Sequence, residues 1–263
     1  MLMAMTEISP TIPRTALVTG AARRLGRAMA LDLAAAGFAV AVHYSRSRAE
    51  ALALADDIIA RGGRAALVHG DLACEAQMHE VLPAAEAALG PVGVLVNNAS
   101  TFERDDVANA SRASWDFHME VNLRAPFVLA QAFAARLPVT AEGVIVNLID
   151  QRVWNLTPHF TTYTLSKAGL WTLTQTLALA LAPRIRVAAI GPGPALPSVR
   201  QSDAQFADQC AATPLARGTS PAEVAQALRF ILATRSFTGQ MLALDGGQHL
   251  QWSPAQGDDG GDE

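Results

Sequence analysis

Hydrophobic residues along this chain follow two alternating patterns. One is a short apolar run rich in β-branched residues, which is typical of a parallel strand buried on both faces. The other is a longer stretch rich in alanine and leucine, with helical spacing of its apolar positions. The predicted strands are Ala16–Thr19, Ala39–His43, Ala65–His69, Val92–Asn97, Val144–Ile149, Ile185–Ile190 and Met241–Leu244. The predicted helices are Leu25–Ala36, Arg48–Ala60, Glu75–Ala88, Ser111–Arg136, Tyr163–Leu181 and Pro221–Ala233.

This alternation predicts an α/β protein with a doubly wound parallel sheet, Rossmann-like, of about seven strands flanked by helices. No linker divides the chain, so we expect one domain over residues 14–252. A flexible N-terminus over residues 1–13 and a disordered acidic tail over residues 253–263 would flank it. Ligands of such sheets bind beyond the carboxyl ends of the strands. The irregular connection Pro192–Ser202 is proline-rich, and the loop around Pro194–Phe206 is the candidate substrate-covering segment.

Composition supports a large core and restricts the possible partners. Hydrophobic residues make up 51% of the 263 residues, and charged residues make up 17%. The net charge is −4, but acids cluster in the C-terminal tail, and no basic stripe is present for nucleic acid or a membrane surface. The two cysteines lack metal-ligand spacing, and no apolar run reaches the ~18 residues of a membrane span. We therefore expect a cytoplasmic protein that binds a small molecule and no metal.

The first βα junction, Thr19–Gly26, is a candidate nucleotide site. Gly20 can form the tight turn, and Gly26 permits close packing where the helix begins with Leu25. Backbone N–H groups at a helix N-terminus bind diphosphate. Arg24 replaces the middle glycine of the usual three-glycine pattern and could reach a phosphate or a substrate. The alternative is an ordinary strand-to-helix turn.

The end of the second strand favours NADPH over NADH. An acid that holds the ribose hydroxyls of NAD is usual there. The segment instead reads His43-Tyr44-Ser45-Arg46-Ser47. Arg46 and Ser47 could bind a 2′-phosphate, which an acid would repel. After the third strand, Asp71, followed by Leu72, could accept a hydrogen bond from the adenine amino group, or Asp71 could cap the next helix.

Three residues suggest proton chemistry. Tyr163 and Lys167 are four residues apart at a helix start, so they share a helix face. Asp150 follows the fifth predicted strand, thirteen residues before the tyrosine. A nearby cation stabilises phenolate and lowers the pKa of a tyrosine. Tyr163 is thus a candidate general acid with Asp150 as a second proton carrier, and exposed polar residues at a helix start are the alternative.

Five motifs occur in order at the ends of these elements. They are Thr19–Gly26, Asn97-Asn98-Ala99-Ser100, Asn122 in Glu120–Arg124, Tyr163-x-x-x-Lys167 and Gly191-Pro192-Gly193. Over about residues 14–250 this order resembles the short-chain dehydrogenase/reductase family. The resemblance implies that the asparagine, serine and proline motifs contact the cofactor, through Asn98, Ala99, Ser100, Pro192 and Gly193.

The same resemblance implies roles for the candidate catalytic residues. Tyr163 would protonate the substrate as hydride leaves the nicotinamide. Lys167 would lower the pKa of the tyrosine and hold the nicotinamide ribose, and Asn122 would support a proton-relay water. The usual catalytic serine of the family is missing near the end of the fifth strand, where Asp150 stands.

The segments Thr19–Gly26 and His43–Ser47, and the aspartate in place of the serine, look like those of the pteridine reductase and dihydromonapterin reductase branch. In that branch a pterin stacks between the nicotinamide and a phenylalanine, matched here by Phe102. Ser100 and Arg24 match residues near the pterin and the cofactor phosphates, and Asp150 and Tyr163 match the pair that delivers the proton. The alternative for Phe102 is a loop aromatic packed on the core.

The resemblance therefore implies NADPH-dependent reduction of a dihydropterin C=N bond to the tetrahydro form. Dihydromonapterin, dihydrobiopterin and dihydrofolate share the reacting ring. One alternative is a reductase of a ketone or of a sugar or alcohol substrate, and another is a non-catalytic NADP(H)-binding regulator. The family also implies a homotetramer, in which helices Ser111–Arg136 and Tyr163–Leu181 would pack across dimer axes.

Overall fold

Seven parallel strands form one sheet in the computed structural model, which describes residues 7–198 and 201–251. The strands are β1 (Thr15–Val18), β2 (Ala39–Tyr44), β3 (Arg64–His69), β4 (Val94–Asn97), β5 (Gly143–Leu148), β6 (Ile185–Pro192) and β7 (Met241–Leu244). Their order is β3-β2-β1-β4-β5-β6-β7, with every neighbouring pair parallel. The predicted doubly wound, single-domain fold is confirmed. Because the strand order reverses between β1 and β4, a ligand crevice is expected beyond their carboxyl ends.

Helices cover both faces of this sheet. They are α1 (Arg24–Ala35), α2 (Arg48–Ala60), α3 (Glu75–Leu89), α4 (Arg112–Met119), α5 (Ala125–Arg136), α6 (Thr161–Leu181), α7 (Asp203–Ala211) and α8 (Pro221–Ala233). Helices α1, α2 and α8 pack on one face, and α3, α5 and α6 pack on the other. No helix among the described residues is both long and apolar enough to cross a bilayer.

Burial differs between the centre and the edges of the sheet. Every residue of β1, β4 and β5 is buried, as expected for strands covered by helices on both faces. In the edge strand β3, Val68 is buried and the other residues are partly or fully exposed. The prediction of burial on both faces is therefore wrong for β3, and β7 at the opposite edge is also only partly buried.

Two helical segments differ from the prediction. The predicted helix Ser111–Arg136 is divided into α4 and α5 by a π-helical turn, Glu120–Arg124, which directs Asn122 into the interior. Helix α7 is absent from the predicted helices, and only its first turn falls within the predicted loop around Pro194–Phe206. Its signal is a capping box, in which Ser202 and Gln205 exchange side chain–backbone hydrogen bonds.

The N-terminal segment is ordered from its first described residues. Ile12 is 2% exposed within the core of the α1, α2 and α8 face, and the Ser9 and Thr11 hydroxyls are hydrogen bonded to each other. Ile12 therefore packs on the domain, and the flexibility expected for residues 1–13 stays a prediction. The predicted acidic tail, residues 253–263, lies outside the described residues.

Gly26→Ala is expected to lower the free energy of unfolding by about 1–3 kcal/mol, as overpacking does elsewhere. An added Cβ would lie 2.4 Å from the carbonyl oxygen of Gly20 and 3.0 Å from Cα of Ala21, and these backbone atoms cannot move aside cheaply. Denaturant unfolding measures the change. Arg27→Ala, on the exposed side of α1, is the control and should cost less than about 1 kcal/mol, since it removes only a surface ion pair with Asp57. Equal free energies of unfolding for the two variants would contradict the close approach of Gly26 to the turn after β1.

Candidate active site

A cavity of about 590 Å³ lies beyond the carboxyl ends of β1, β2, β4, β5 and β6. It brings together most of the residues predicted from the sequence. The predicted residues that line it are Gly20, Arg24, Leu25, Gly26, Tyr44, Arg46, Ser47, Asn98, Ala99, Ser100, Phe102, Asp150, Tyr163, Lys167, Pro192 and Gly193. Four other predicted residues do not line it, namely His43, Asp71, Leu72 and Asn122.

The turn after β1 is fixed to the end of β4. Gly20 has φ +61°, a conformation that favours glycine. The Asn98 side-chain amide donates to the carbonyl oxygens of Thr19 and Gly20, at 2.8 and 3.1 Å. The Thr19 hydroxyl accepts from the backbone N–H groups of Asn98 and Ala99, at 2.9 and 3.0 Å. The start of α1 is thereby held open to the cavity.

His43 is a structural support for this turn. Its ring is 1% exposed, and Nδ1 accepts a hydrogen bond from the Gly20 N–H at 3.1 Å. With Nδ1 as acceptor, the neutral ring carries its proton on Nε2, which donates to the carbonyl oxygen of Gly70 at 3.1 Å. Burial lowers the pKa of His43 to about 4, so the ring is neutral at physiological pH.

The predicted adenine contacts are placed differently. The Asp71 carboxylate accepts from the N–H of Ala73 at 3.0 Å in the turn before α3. The N-cap of that helix is Cys74 and it has no side-chain cap, so the alternative that Asp71 caps the helix is wrong. Leu72 is 4% exposed and belongs to the core on the α3 face. Neither residue lines the cavity, so the adenine contact stays a prediction.

The end of the cavity beside β2 carries basic side chains. Arg46 is exposed there, next to the half-buried Ser47. Arg23, which the sequence analysis did not select, lies at the same end, and its guanidinium is 3.6 Å from the Glu50 carboxylate. Among the described lining residues the one carboxylate is Asp150, beyond β5. The β2 end therefore suits an anionic group.

Tyr163 and Asp150 form a hydrogen-bonded acid pair, in which Tyr163 is buried and Asp150 is half-buried. The Tyr163 hydroxyl donates to Oδ2 of Asp150 at 2.8 Å, and Oδ1 accepts from the Arg152 N–H at 2.9 Å. Burial raises the pKa of Tyr163 well above its usual value, and the negative charge of Asp150 raises it further. This direction is opposite to the expectation that Lys167 would lower it, and the phenol is protonated at neutral pH.

Lys167 is buried next to this pair. Its ammonium nitrogen donates to the carbonyl oxygen of Leu148 at 2.9 Å and lies 5.7 Å from the centre of the Tyr163 ring. Burial lowers the pKa of Lys167 to about 8, although the charge of Asp150 opposes this shift. The expected shared helix face is present, since both side chains reach the cavity from α6.

Asn122 supports the cavity wall from behind. The π-helical turn buries it completely, and its side-chain amide donates to the Thr101 carbonyl and the Ser166 hydroxyl, both at 3.0 Å. Its oxygen accepts from the Thr101 N–H at 2.8 Å and from the Ser100 hydroxyl at 3.2 Å. These bonds position Ser100, which lines the cavity.

Phe102 presents an aromatic surface beside the acid pair. Its ring stacks on Phe160, with centroids 4.4 Å apart and an interplanar angle of 6°, and it meets the Tyr163 ring at 72°. The Arg152 guanidinium lies 4.9 Å from the centre of the Phe160 ring. Phe102 is half-buried and lines the cavity, so it is packed on a neighbour and also available to a flat ligand.

Asp105 and His118 hold the start of α6, and sequence reasoning did not identify them. Phe160, at the N-cap position, has φ +58° and no side-chain cap. Asp105 supplies the missing cap of α6, because its carboxylate accepts from the Thr162 N–H at 3.1 Å. The Thr162 hydroxyl is also 2.7 Å from Nδ1 of the buried His118. The link joins segments 57 residues apart, so no local motif reveals it.

Arg24 connects the turn after β1 to the loop after β6. Its guanidinium donates to the carbonyl oxygens of Pro197 and Leu196, at 2.8 and 3.1 Å. The predicted substrate-covering loop therefore does border the cavity through Pro194–Leu196, Ser198 and Gln201. Arg24 lines the cavity as predicted, and it also positions the loop after β6.

Three comparisons relate the chain to known proteins. The sequence model described as short chain dehydrogenase matches residues 14–207. The crystal structure of FolM alternative dihydrofolate reductase 1 from Brucella canis, complexed with NADP, is 47% identical. It has a TM-score of 0.90 and covers 94% of this chain and 98% of that chain.

More distant relatives have other activities by name. The 3-oxoacyl-(acyl-carrier-protein) reductase FabG of Staphylococcus epidermidis is 30% identical over 90% of this chain and 99% of its own length. The L-rhamnose 1-dehydrogenase (NAD(P)(+)) of Azotobacter vinelandii is 34% identical over 90% of this chain and 96% of its own length. Membership of one family is thus compatible with several substrates.

Asp150→Asn is expected to lower the pKa of Tyr163, because it removes the negative charge that opposes phenolate formation. The chain has two tyrosines, so both forms are compared in a Tyr44→Phe background in which Tyr163 alone reports. Ultraviolet difference titration of phenolate measures the shift. A pKa equal to that of the parent, or above it, would contradict the electrostatic coupling.

Proposed function

The chain belongs to the short chain dehydrogenase family, and on that premise we propose that it is an NADPH-dependent oxidoreductase that reduces a dihydropterin C=N bond. The candidate substrates are dihydromonapterin, dihydrobiopterin and dihydrofolate, which give the tetrahydro products. The observation that carries the proposal is the 2.8 Å hydrogen bond between Tyr163 and Asp150, where the family usually has a serine. The high identity to FolM alternative dihydrofolate reductase 1 supports it.

The lining of the cavity fits NADPH. The open N-terminus of α1 after Gly20 is suited to a diphosphate. Arg46 and Ser47 would hold the 2′-phosphate, with Arg23 as a further cation. Lys167 and Asn98 line the opposite half of the cavity, where the nicotinamide ribose would lie. The bound cofactor supplies the hydride, and the chain supplies orientation and the proton.

The acid pair would deliver the proton to a ring nitrogen. Tyr163 is its donor, since its phenol is protonated and faces the cavity. A phenolate beside a carboxylate is unfavourable, so Asp150 would act as the second proton carrier and return a proton from solvent to the phenol through their hydrogen bond. The Lys167 ammonium stabilises the negative charge that develops on the phenol oxygen during transfer.

Phe102 would hold the flat substrate. Its stacking on Phe160 fixes the ring, and its lining position gives a pterin an aromatic surface near the proton donor. Ser100, held by Asn122, adds a hydroxyl at the same wall. Flat heterocycles use such a surface better than acyl chains or sugars do, and this favours a pterin over the substrates named for the more distant relatives.

A ketone or sugar reductase is the second candidate. Tyr163 and Lys167 serve carbonyl reduction equally well, and the relatives at 30% and 34% identity act on such substrates by name.

We include the homotetramer in the proposal, because a groove is open on the α4, α5 and α6 side. Its lining consists of four apolar residues, Met119, Leu123, Phe127 and Leu173, together with Glu120 and Arg124.

Tyr163→Phe is expected to lower kcat for a dihydropterin by roughly 10²- to 10⁴-fold, the usual contribution of a general acid. Asp150→Ser should also lower kcat, since the pair loses its second proton carrier. Steady-state assays with dihydropterins and with simple ketones measure both. NADPH affinity should persist in each variant. Good turnover of a carbonyl compound without any turnover of dihydropterins would establish the second candidate instead, and NADPH binding without turnover of either would indicate a non-catalytic regulator.

Arg46→Ala is expected to weaken NADPH binding by roughly 10- to 100-fold and to leave NADH binding nearly unchanged, because a charge-assisted hydrogen bond to the 2′-phosphate is lost. Arg48→Ala is the matched control, since Arg48 is also an exposed arginine near the end of β2 but does not line the cavity. Fluorescence titration with both cofactors measures the affinities. Equal losses for NADPH and NADH would refute the phosphate contact.

A further inference from the structure

Glutamines on the cavity wall differ in how their amide groups are satisfied. Gln201 donates from Nε2 to Oε1 of Gln209 at 3.0 Å and accepts from the Ser198 N–H at 3.0 Å. Gln151 and Gln248 also line the cavity. Their Oε1 atoms are buried and have no hydrogen-bond partner among the residues that the structure describes. Buried polar atoms in folded proteins are nearly always paired, so these two oxygens require an explanation.

Gln151 is held next to the proton donor. It directly follows Asp150 and begins the 3₁₀ turn Gln151–Val153, and it is 5% exposed. Asp150 caps this turn through Oδ1 while Oδ2 accepts from Tyr163, so the backbone at residue 151 has a fixed relation to the reacting groups. The Gln151 side chain lines the cavity from this turn, directly after Asp150 in the chain.

Gln248 is held on the opposite turn by a second aspartate. Asp245, 2% exposed, accepts from the backbone N–H groups of Gly247 and His249, at 3.0 and 2.8 Å. The carbonyl oxygen of Gln248 accepts from the Asn155 side chain at 3.0 Å, which joins this turn to the segment after Gln151. This bond ties the two turns together, and each turn carries a glutamine that lines the cavity and has an unsatisfied amide oxygen.

We propose that Gln151 and Gln248 are specificity-determining residues that accept hydrogen bonds from N–H or O–H groups of the substrate. The inference rests on the proposed function, because it assigns these donors to a dihydropterin. The terminal torsion of a glutamine side chain is broad, so each amide can turn its oxygen toward the cavity that the side chain lines. A site that leaves buried acceptors unpaired discriminates against ligands without donors.

A dihydropterin offers two sources of such donors. The ring carries an amino group and ring N–H groups, and the side chain of dihydromonapterin or dihydrobiopterin carries hydroxyl groups. The chemistry is the same for both, since each donates to a neutral amide oxygen. A 7,8-dihydropterin with a methyl group in place of the hydroxylated side chain retains the ring donors and lacks the others, so it separates the two sources.

The test uses Gln151→Met and Gln248→Met, which keep the length of the side chain and remove the amide. KM and kcat are measured for 7,8-dihydromonapterin and for 6-methyl-7,8-dihydropterin, together with KM for NADPH. Each variant is expected to raise the substrate KM by roughly 3- to 10-fold, the effect of one neutral hydrogen bond. Neither kcat nor the KM for NADPH should change as much. Gln240→Met is the control, because Gln240 is exposed and lies outside the cavity lining.

The outcomes separate the sources and the hypotheses. A rise in KM for both substrates assigns the donors to the ring, and a rise for dihydromonapterin alone assigns them to the hydroxylated side chain. Either result supports the proposal. Unchanged KM for both substrates in both variants would overturn it while the proposed function stands. A wild-type protein that turns over neither of these dihydropterins, nor dihydrobiopterin, nor dihydrofolate would overturn the proposed function and this inference together.

Discussion

The junction between the carboxyl ends of β1 and β4 is the constraint on which the cavity depends. The Asn98 side chain donates to two carbonyl groups of the turn after β1, and the Thr19 hydroxyl accepts from the chain after β4. These bonds satisfy backbone groups that a buried loop would otherwise leave unpaired. A Cβ on Gly20 would lie 3.0 Å from Cα of Ala99, so the two segments are in contact. The diphosphate end and the substrate wall therefore form one rigid unit.

The electrostatic balance of the site comes from a carboxylate placed beside a buried phenol and a buried ammonium. Burial penalises the charged forms of the phenol and the ammonium, and it acts in opposite directions on the pKa of Tyr163 and that of Lys167. The carboxylate of Asp150 favours the protonated state of both partners. A serine at position 150 would lack this charge. Aspartate in place of serine at position 150 thus changes which groups of the site can carry a proton, and it leaves the fold and the cofactor cavity intact.

The sequence predicted what depends on local periodicity and on motifs at strand ends. Helices α2 and α8 and strand β7 have the predicted bounds, and the glycine turn, Tyr163 and Lys167 meet in one cavity. The features that the sequence did not predict lack apolar periodicity or depend on contacts between residues that are far apart along the chain. Helix α7 buries none of its residues, so apolar periodicity could not reveal it. The direction of the Tyr163 pKa depends on the contact with Asp150, and the cap that Asp105 gives to α6 joins remote segments.

The two ends of the cavity respond differently to acidity. His43 lies outside the cavity lining and supports the glycine turn, and because burial lowers its pKa to about 4, this support keeps the same hydrogen bonds across the physiological range. Burial lowers the pKa of Lys167, at the other end, to about 8. The glycine turn is thus insulated from changes in proton concentration that alter the charge of Lys167. A protein built this way can keep the shape of its glycine turn while its proton chemistry follows the pH of the surroundings.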